Sequence, residues 1–349
     1  MKKGVICVLL CMLMIVSTVI PISATTVSEK TSHPLTTGNI FYVGGSGPNN
    51  YTKIQDAIDN TSAGDTVFVY DDASPYYENL VVNKSITLIG EDKQTTVICG
   101  LGRNNASVLL QADGVTVQRF TIEHSYPGIR IESNNNTIED NIITANSEGL
   151  YLLNANNNKI EGNTISNNSW GIYESVTTGD MISRNIITFN SVDGISLGSS
   201  GTVVTLNNIS GNGQNGLTIP GDDNTILKNN IVDNKLYGIS IWNSRKNSIL
   251  QNNIYNNGRG NARVQVDLWI VLLWRPFNHT WDGNYWGRPY QSPKVILGVK
   301  YLILPSLILQ WFMYTFIVER PTNPPLMTVY IPMIKFDWHP AQEPYDIGV

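Results

Sequence analysis

Seven aromatic and charged residues in the middle of the chain have the side-chain types of a ligand-binding face, and they fall on neighbouring units of a repeat of about 22 residues. They are Arg130, Glu148, Tyr151, Trp170, Tyr173, Glu174 and Asp193. Flat rings stacked one repeat apart provide a platform for sugar rings, and charged side chains beside them can bond hydroxyl groups. We therefore predict a carbohydrate-binding face whose ligand is a polysaccharide or a cell-surface glycan. A second interpretation stays open, in which the tyrosines stack only to stabilise a sheet.

The repeat that positions these residues is visible in three registers. Six segments begin with Gly followed by an apolar residue, at Gly128, Gly149, Gly171, Gly194, Gly216 and Gly238, with spacings of 21, 22, 23, 22 and 22 residues. Two series of asparagines keep the same period: Asn141, Asn163, Asn185, Asn207, Asn229 and Asn252, and Asn146, Asn168, Asn190, Asn212, Asn234 and Asn257.

Each unit contains three apolar stretches, of the forms G-I-x-I, N-x-I and N-x-I, which are too short for a helix. Their alternation is typical of a strand with one buried face. Strands this short are stable only when each pairs with its copy in the next unit, which predicts an all-β parallel β-helix of about nine coils. A leucine-rich repeat can have the same period, but it requires the pattern L-x-x-L-x-L-x-x-N, and leucine is scarce here.

Asparagine is the unusual feature of the composition, with 40 of 349 residues. We expect its side-chain amides to form hydrogen-bonded ladders along the axis, and its backbone to adopt the left-handed conformation that sharp corners need.

Glu174 falls where the neighbouring units place the inward residues Leu152 and Leu197. Because its unit is one residue longer, we predict a bulge that turns Glu174 outward.

The ends of the chain differ in composition from the repeats. Residues 1–24 have the pattern of a signal peptide, and residues 25–39 that of a linker. Residues 40–65 are expected to form an N-terminal cap with a short amphipathic helix, residues 66–260 the β-helix, and residues 261–349 a closing segment. The apolar run 295–318 has two open interpretations, a hydrophobic cap over the last coil or a membrane-associated segment.

Several segments resemble a known superfamily. Residues 51–59 (YTKIQDAID) and 63–67 (AGDTV) resemble the entry segment of right-handed parallel β-helix proteins of the pectin-lyase-like superfamily. The coils resemble its NosD-like group, the carbohydrate-binding and sugar-hydrolysis type. Residues 278–286 (NHTWDGNYW) and 336–345 (FDWHPAQEPY) resemble elements that close such solenoids. The resemblance implies a right-handed coil, and it is specific for fold but weak for function.

Charge and residue type exclude several functions. The net charge is -5 and becomes -7 without the two lysines of the signal peptide, and no basic block is present, so nucleic acid is not expected as a partner. Cys99 is the only cysteine after residue 24, which excludes an intrachain disulfide in the exported chain. The His, Met and Cys residues look scattered, so we predict no metal site and no cofactor. Asp222 and Asp223 follow a Pro-Gly pair and are interpreted as a solvated corner.

These observations predict a secreted or cell-surface protein, periplasmic if a second membrane exists, that binds polysaccharide without catalysis. No catalytic residues are assigned. Three alternatives stay open. The first is a polysaccharide lyase or glycoside hydrolase, which requires an acid cluster near Glu148, Glu174 and Asp193. The second is a structural surface or adhesion protein, and the third is a NosD-like accessory of periplasmic copper maturation.

Overall fold

A computed structural model describes residues 38–102, 105–269, 278–289, 292–304 and 327–348. The predicted signal peptide, most of the predicted linker and residues 305–318 of the apolar run lie outside these ranges. The chain divides into a unit Met1–Leu35 and a unit Thr36–Val349, and all described residues belong to the second.

The described residues form short strands and one helix, α1 (Ile54–Asn60). The strands are β1 (Ile40–Val43), β2 (Thr66–Val69), β3 (Tyr76–Tyr77), β4 (Leu80–Val82), β5 (Thr87–Gly90), β6 (Val97–Cys99), β7 (Val108–Leu110), β8 (Thr116–Gln118), β9 (Thr121–Glu123), β10 (Ile129–Ile131), β11 (Thr137–Glu139), β12 (Ile142–Thr144), β13 (Glu148–Leu153), β14 (Lys159–Glu161), β15 (Thr164–Ser166), β16 (Trp170–Thr178), β17 (Met181–Ser183), β18 (Ile186–Thr188), β19 (Ile195–Ser200), β20 (Val203–Thr205), β21 (Asn208–Ser210), β22 (Leu217–Ile219), β23 (Thr225–Leu227), β24 (Asn230–Val232), β25 (Tyr237–Trp242), β26 (Ser248–Leu250), β27 (Asn253–Tyr255), β28 (Gly260–Trp269), β29 (Thr280–Asp282), β30 (Lys294–Leu304) and β31 (Met327–Asp337).

From β2 to β29 every third strand belongs to the same sheet, and the chain winds as a right-handed parallel β-helix of about ten turns, close to the predicted nine. Sheet 1 has the order β1-β2-β5-β8-β11-β14-β17-β20-β23-β26-β29, sheet 2 the order β4-β7-β10-β13-β16-β19-β22-β25-β28-β30-β31, and sheet 3 the order β3-β6-β9-β12-β15-β18-β21-β24-β27. Each coil pairs with the next in parallel, and β30 pairs with β31 antiparallel.

The core is a set of stacks that run along the axis of the solenoid. The residue after each repeated glycine points inward and is fully buried, in the stack Ile129, Leu150, Ile172, Ile195, Leu217 and Ile239. The Cα register confirms this alignment from one coil to the next. A strand of three residues gains its stability here because each inward side chain packs on its copies above and below.

The predicted asparagine ladders are present. In the ladder from Asn141, each backbone N–H and side-chain amide donates to the Oδ1 atom one coil on, as Asn185 does to Asn207 at 2.9 and 3.0 Å. The expected left-handed conformation is found at other asparagines, such as Asn135 and Asn157, but the ladder asparagines themselves do not adopt it. The left-handed residue is the one before each ladder position, such as Asp140 or Leu206. That residue turns the corner, and the next side chain can then point inward and reach the next coil.

At both ends of the solenoid, elements outside the regular coils pack against its core. At the N-terminal end α1 buries Ile54, Ala57 and Ile58, which confirms the predicted capping helix. The Glu78 carboxylate accepts the backbone N–H of Ile54 at 2.8 Å, so a negative charge lies at the N-terminus of this helix.

At the other end, β28, β30 and β31 extend sheet 2 beyond the regular coils. Trp281 and Trp286 pack with ring centroids 6.0 Å apart, and Ile296 is buried in the same core. Strand β30 contains residues 295–304 of the apolar run, so this part of the run is strand and not helix. Among the residues described, no helix has the length and apolarity needed to cross a bilayer.

Candidate functional site

Three neighbouring coils bring the predicted aromatic residues together on the outer side of sheet 2. Strands β10, β13 and β16 place Arg130, Tyr151 and Tyr173 in one register, and Glu148 beside Trp170. The ring centroids of Tyr151 and Tyr173 are 5.5 Å apart. Trp170 meets Tyr173 edge to face, also at 5.5 Å. The stack exists because the outward position of each coil lies directly over that of the next.

These rings line a cleft with a volume of about 380 Å³. Five of the seven predicted residues line it: Arg130, Glu148, Tyr151, Trp170 and Tyr173. Tyr126 and Pro127 complete the lining and were not among the predicted residues. Pro127 precedes Gly128 as Glu148 precedes Gly149, so the repeat contained a signal for it. Tyr126 lies in an irregular stretch between β9 and β10 and has no such signal. We call this site the aromatic cleft.

The charged side chains of the aromatic cleft are those of Arg130 and Glu148, and each has an atom without a hydrogen-bond partner. The Arg130 guanidinium lies over the Tyr151 ring, 5.5 Å from its centroid, and bonds Glu132 Oε1 at 2.5 Å. The Nε atom of Arg130 and the Oε2 atom of Glu148 are buried without a hydrogen-bond partner. Burial raises the pKa of Glu148 above its ordinary value. The cleft thus offers a partly exposed guanidinium and a partly exposed carboxyl side chain beside the rings.

Glu174 does not belong to the aromatic cleft, and the predicted outward bulge was wrong. Glu174 keeps the register of Leu152 and Leu197 and points into the core, where it is 1% exposed. The irregularity of this longer coil lies after it, between Ser175 and Thr178, and leaves Val176 exposed. The extra residue is absorbed there relative to the following coil, because Ser175 pairs with Gly198 and Thr178 pairs with Ser200, one residue fewer on β19.

The buried carboxyl of Glu174 is bonded within the core. It accepts hydrogen bonds from the hydroxyls of Ser199 and Thr202, the latter at 3.1 Å. Burial and, second, the charge of Asp180 raise the pKa of Glu174 to about 8. The side chain is therefore mainly protonated at neutral pH, which makes its burial tolerable.

Asp193 is also withdrawn from the surface. It is buried, and its carboxylate accepts from the Asn215 backbone N–H at 2.8 Å and the Thr218 hydroxyl at 2.6 Å. Of the three acids required by the lyase or hydrolase alternative, only Glu148 lines the aromatic cleft. Asp222 pairs with Arg245 at 2.9 Å at a partly exposed corner, in agreement with the predicted turn.

A second cluster, on sheet 3, was missed because its members looked scattered in the sequence. Cys99, Glu123 and His124 each place one ligand atom within 4.8 Å of the others. The signal that could have found them is the strand register, which makes Cys99 and Glu123 direct neighbours on β6 and β9. We call these three residues the Cys–Glu–His cluster.

Comparison with known sequences gives one family and one relative. The family model described as periplasmic copper-binding protein (NosD) matches residues 58–222 and 190–265, together more than half of the chain. A curated protein described as a cell surface glycoprotein of Methanothermus fervidus is 30% identical over 100 residues. That match covers 27% of this chain and 16% of the relative, so the chain spans only a small part of the relative's length.

Solved structures confirm the right-handed parallel β-helix fold. An alginate lyase from Paenibacillus sp. str. FPU-7 superposes with a TM-score of 0.57 at 14% identity, covering 71% of this chain and 95% of the lyase. A mannuronan C-5 epimerase A-module of Azotobacter vinelandii gives 0.51 at 16% identity, covering 67% and 83%. The Dettilon tailspike protein gives 0.52 at 16% identity, covering 71% and 59%. At these identities the likeness concerns the fold alone.

Proposed function

The chain belongs to the NosD family, and from this premise we propose that it is a secreted or cell-surface β-helix protein that binds a polysaccharide in the aromatic cleft. The proposed location is supported by two descriptions, the periplasmic one of the family model and the cell-surface one of the relative. Both place similar proteins outside the cytoplasmic membrane.

One observation carries the proposed binding function. The aromatic cleft combines three rings in mutual contact, inclined to one another at 54° and 74°, with the charged side chains of Arg130 and Glu148. Arg130 and Glu148 line the cleft and are partly exposed, so a ligand can reach their side chains and bond them. The rings can contact the apolar face of a sugar, and the side chains of Arg130 and Glu148 can bond its hydroxyls. The cleft therefore fits a carbohydrate better than a wholly apolar ligand.

The positions of Glu148, Glu174 and Asp193 support binding of the polysaccharide without its cleavage. Glycoside hydrolysis uses two carboxyl groups that flank one bond. Within the described residues the aromatic cleft is lined by one cleft-facing carboxyl side chain, Glu148, while Glu174 and Asp193 are bonded inside the coil. The site therefore supplies recognition groups and lacks the carboxyl pair of that chemistry.

The test is affinity electrophoresis of the full chain through gels that contain neutral or acidic polysaccharides, followed by calorimetry on the glycan that retards it. Trp170→Ala and Tyr151→Ala are expected to weaken binding by about tenfold or more each, equal to about 1.4 kcal/mol. Tyr255→Ala is the matched control, because Tyr255 also contacts another ring, that of Tyr285 at 5.9 Å, but lies on sheet 3 away from the cleft.

Two results would overturn the proposal. If no polysaccharide retards the chain, the aromatic cleft has no such ligand. If Trp170→Ala and Tyr151→Ala lower the melting temperature and leave retardation unchanged, the rings act as a stabilising stack, which is the structural alternative.

A further inference from the structure

We propose that the Cys–Glu–His cluster binds one thiophilic transition-metal ion, copper(I) or zinc(II). The cluster lies on sheet 3, whereas the aromatic cleft lies on sheet 2, so the proposal does not depend on the polysaccharide. The cluster comes from two consecutive coils that the sequence places 25 residues apart at Cys99 and His124.

The backbone holds the three side chains together. Cys99 and Glu123 are Cα partners at the ends of β6 and β9, so their side chains leave the sheet on the same side. His124 follows with a φ of 61°, a left-handed conformation that is uncommon for a residue other than glycine. This turn brings its ring back beside both neighbours rather than along the next strand.

The distances suit a shared ion. The Cys99 Sγ atom is 3.9 Å from His124 Nδ1, and that nitrogen is 3.2 Å from Glu123 Oε1. With metal–sulfur and metal–nitrogen bonds of about 2.3 and 2.0 Å, two ligand atoms on a tetrahedral ion are about 3.5 Å apart. The third pair, Cys99 Sγ and the Glu123 carboxylate, lies within 4.8 Å, and side-chain rotation can bring the three ligand atoms around one ion.

The donor set selects the class of metal. Thiolate and imidazole together favour copper and zinc over magnesium or calcium, which prefer oxygen ligands. The description of the family as copper-binding fits these residues, because Cys99 offers the soft sulfur that copper(I) prefers. The Glu123 and His124 side chains are 27% and 61% exposed, so an ion can enter and keep an open coordination position.

The experiment uses the full chain in which Cys7→Ser and Cys11→Ser leave Cys99 as its only thiol. Cobalt(II) is the spectroscopic probe for the zinc arm, and a chromogenic copper(I) chelator reports the copper arm by competition. We expect one ion per chain and a thiolate-to-cobalt charge-transfer absorption in the near ultraviolet. Zinc displaces the cobalt if the site takes zinc, and the chain withdraws copper(I) from the chelator if it takes copper.

Variants assign the ligands. Cys99→Ser is expected to abolish the charge-transfer absorption, and His124→Ala and Glu123→Gln to weaken binding by about tenfold or more. The matched control is His339→Ala, because the exposed ring of His339 also pairs with a carboxylate, Asp282 at 2.7 Å, but is not in the cluster. Thermal melts followed by circular dichroism check that each variant folds.

The proposal is wrong if a folded chain neither shows the charge-transfer absorption nor withdraws copper(I) from the chelator. It is also wrong if metal binding survives Cys99→Ser unchanged, or if His339→Ala weakens binding as much as His124→Ala. Polysaccharide retardation measured on the same variants separates the two proposals. The cluster variants should keep it and the aromatic cleft variants should lose it.

Discussion

Asp337 takes the place of the next asparagine after Asn284 and ends the ladder that begins at Asn141. Its Oδ2 atom accepts from the Asn284 backbone N–H at 3.0 Å and side-chain amide at 3.1 Å. It also accepts from Trp286 Nε1 at 3.0 Å. Each asparagine of the ladder needs an acceptor on the following coil, whereas a carboxylate only accepts. Asp337 therefore supplies the last acceptor and requires none itself, which explains why the segment 278–286 is followed by this distant aspartate.

Removing the end of the ladder should destabilise the chain. Asp337→Ala leaves three buried donors, two on Asn284 and one on Trp286, without a partner. We expect a loss of about 2–5 kcal/mol in the free energy of unfolding, measured by chemical denaturation. Asp337→Asn keeps one acceptor and is expected to lose less. Equal losses in the two variants would show that the acceptor is not the stabilising feature.

Glu174 occupies a position in a stack of buried leucines, and this predicts a dependence of stability on pH. The pKa of Glu174 is raised to about 8, whereas the ordinary value is 4.5. Between these pH values the unfolded chain loses a proton that the folded chain keeps, so the free energy of unfolding falls as the pH rises. The contribution is fully present below pH 4.5 and is lost above about pH 8. Denaturation curves between these limits measure it.

Glu174→Leu restores the residue type found on both neighbouring coils, at Leu152 and Leu197. The substitution should remove the pH dependence that comes from this side chain. It should also raise the melting temperature at pH 8, by at least about 2–4 °C, the shift that about 1 kcal/mol produces in a domain of this order of size. A variant that melts lower at pH 8 than the parent would mean that the bonds to Ser199 and Thr202 outweigh the cost of burial.

Asp180 should set the upper end of the pH range over which stability falls. Its charge is the second cause of the raised pKa of Glu174, after burial. Asp180→Asn keeps an oxygen that can accept from Asn158 and removes the charge. The pKa of Glu174 is then expected to fall but to stay above its ordinary value, because burial remains. In denaturation series the stability should stop falling at a lower pH than in the parent, and an unchanged end point would contradict the coupling.

The repeat made the fold predictable, and the exceptions to the repeat made parts of the site unpredictable. Inward and outward positions follow from the period alone, so Tyr151 and Tyr173 were correctly placed on one surface. Glu174 was misplaced because a longer coil has several positions that can absorb the extra residue, and the sequence does not identify which one does. The Cys–Glu–His cluster lies in the less regular early coils, where no fixed period aligns Cys99 with Glu123.

The repeated glycine marks a position where two coils approach too closely for a side chain. A Cβ atom added at Gly171 would lie 2.3 Å from the carbonyl oxygen of Gly194 and 2.9 Å from a methyl carbon of Ile187. The Gly194 carbonyl oxygen accepts from the backbone N–H of Ile172 at 3.0 Å, so it cannot move away without breaking the strand ladder. We therefore expect Gly171→Ala to destabilise the chain by about 1–3 kcal/mol or more through overpacking, measured by chemical denaturation. The control is Ser175→Ala on the same strand, which removes only an oxygen from a half-buried side chain and should change the free energy of unfolding by less than about 1 kcal/mol. Similar losses in the two variants would contradict the close approach as the reason that glycine begins each repeat.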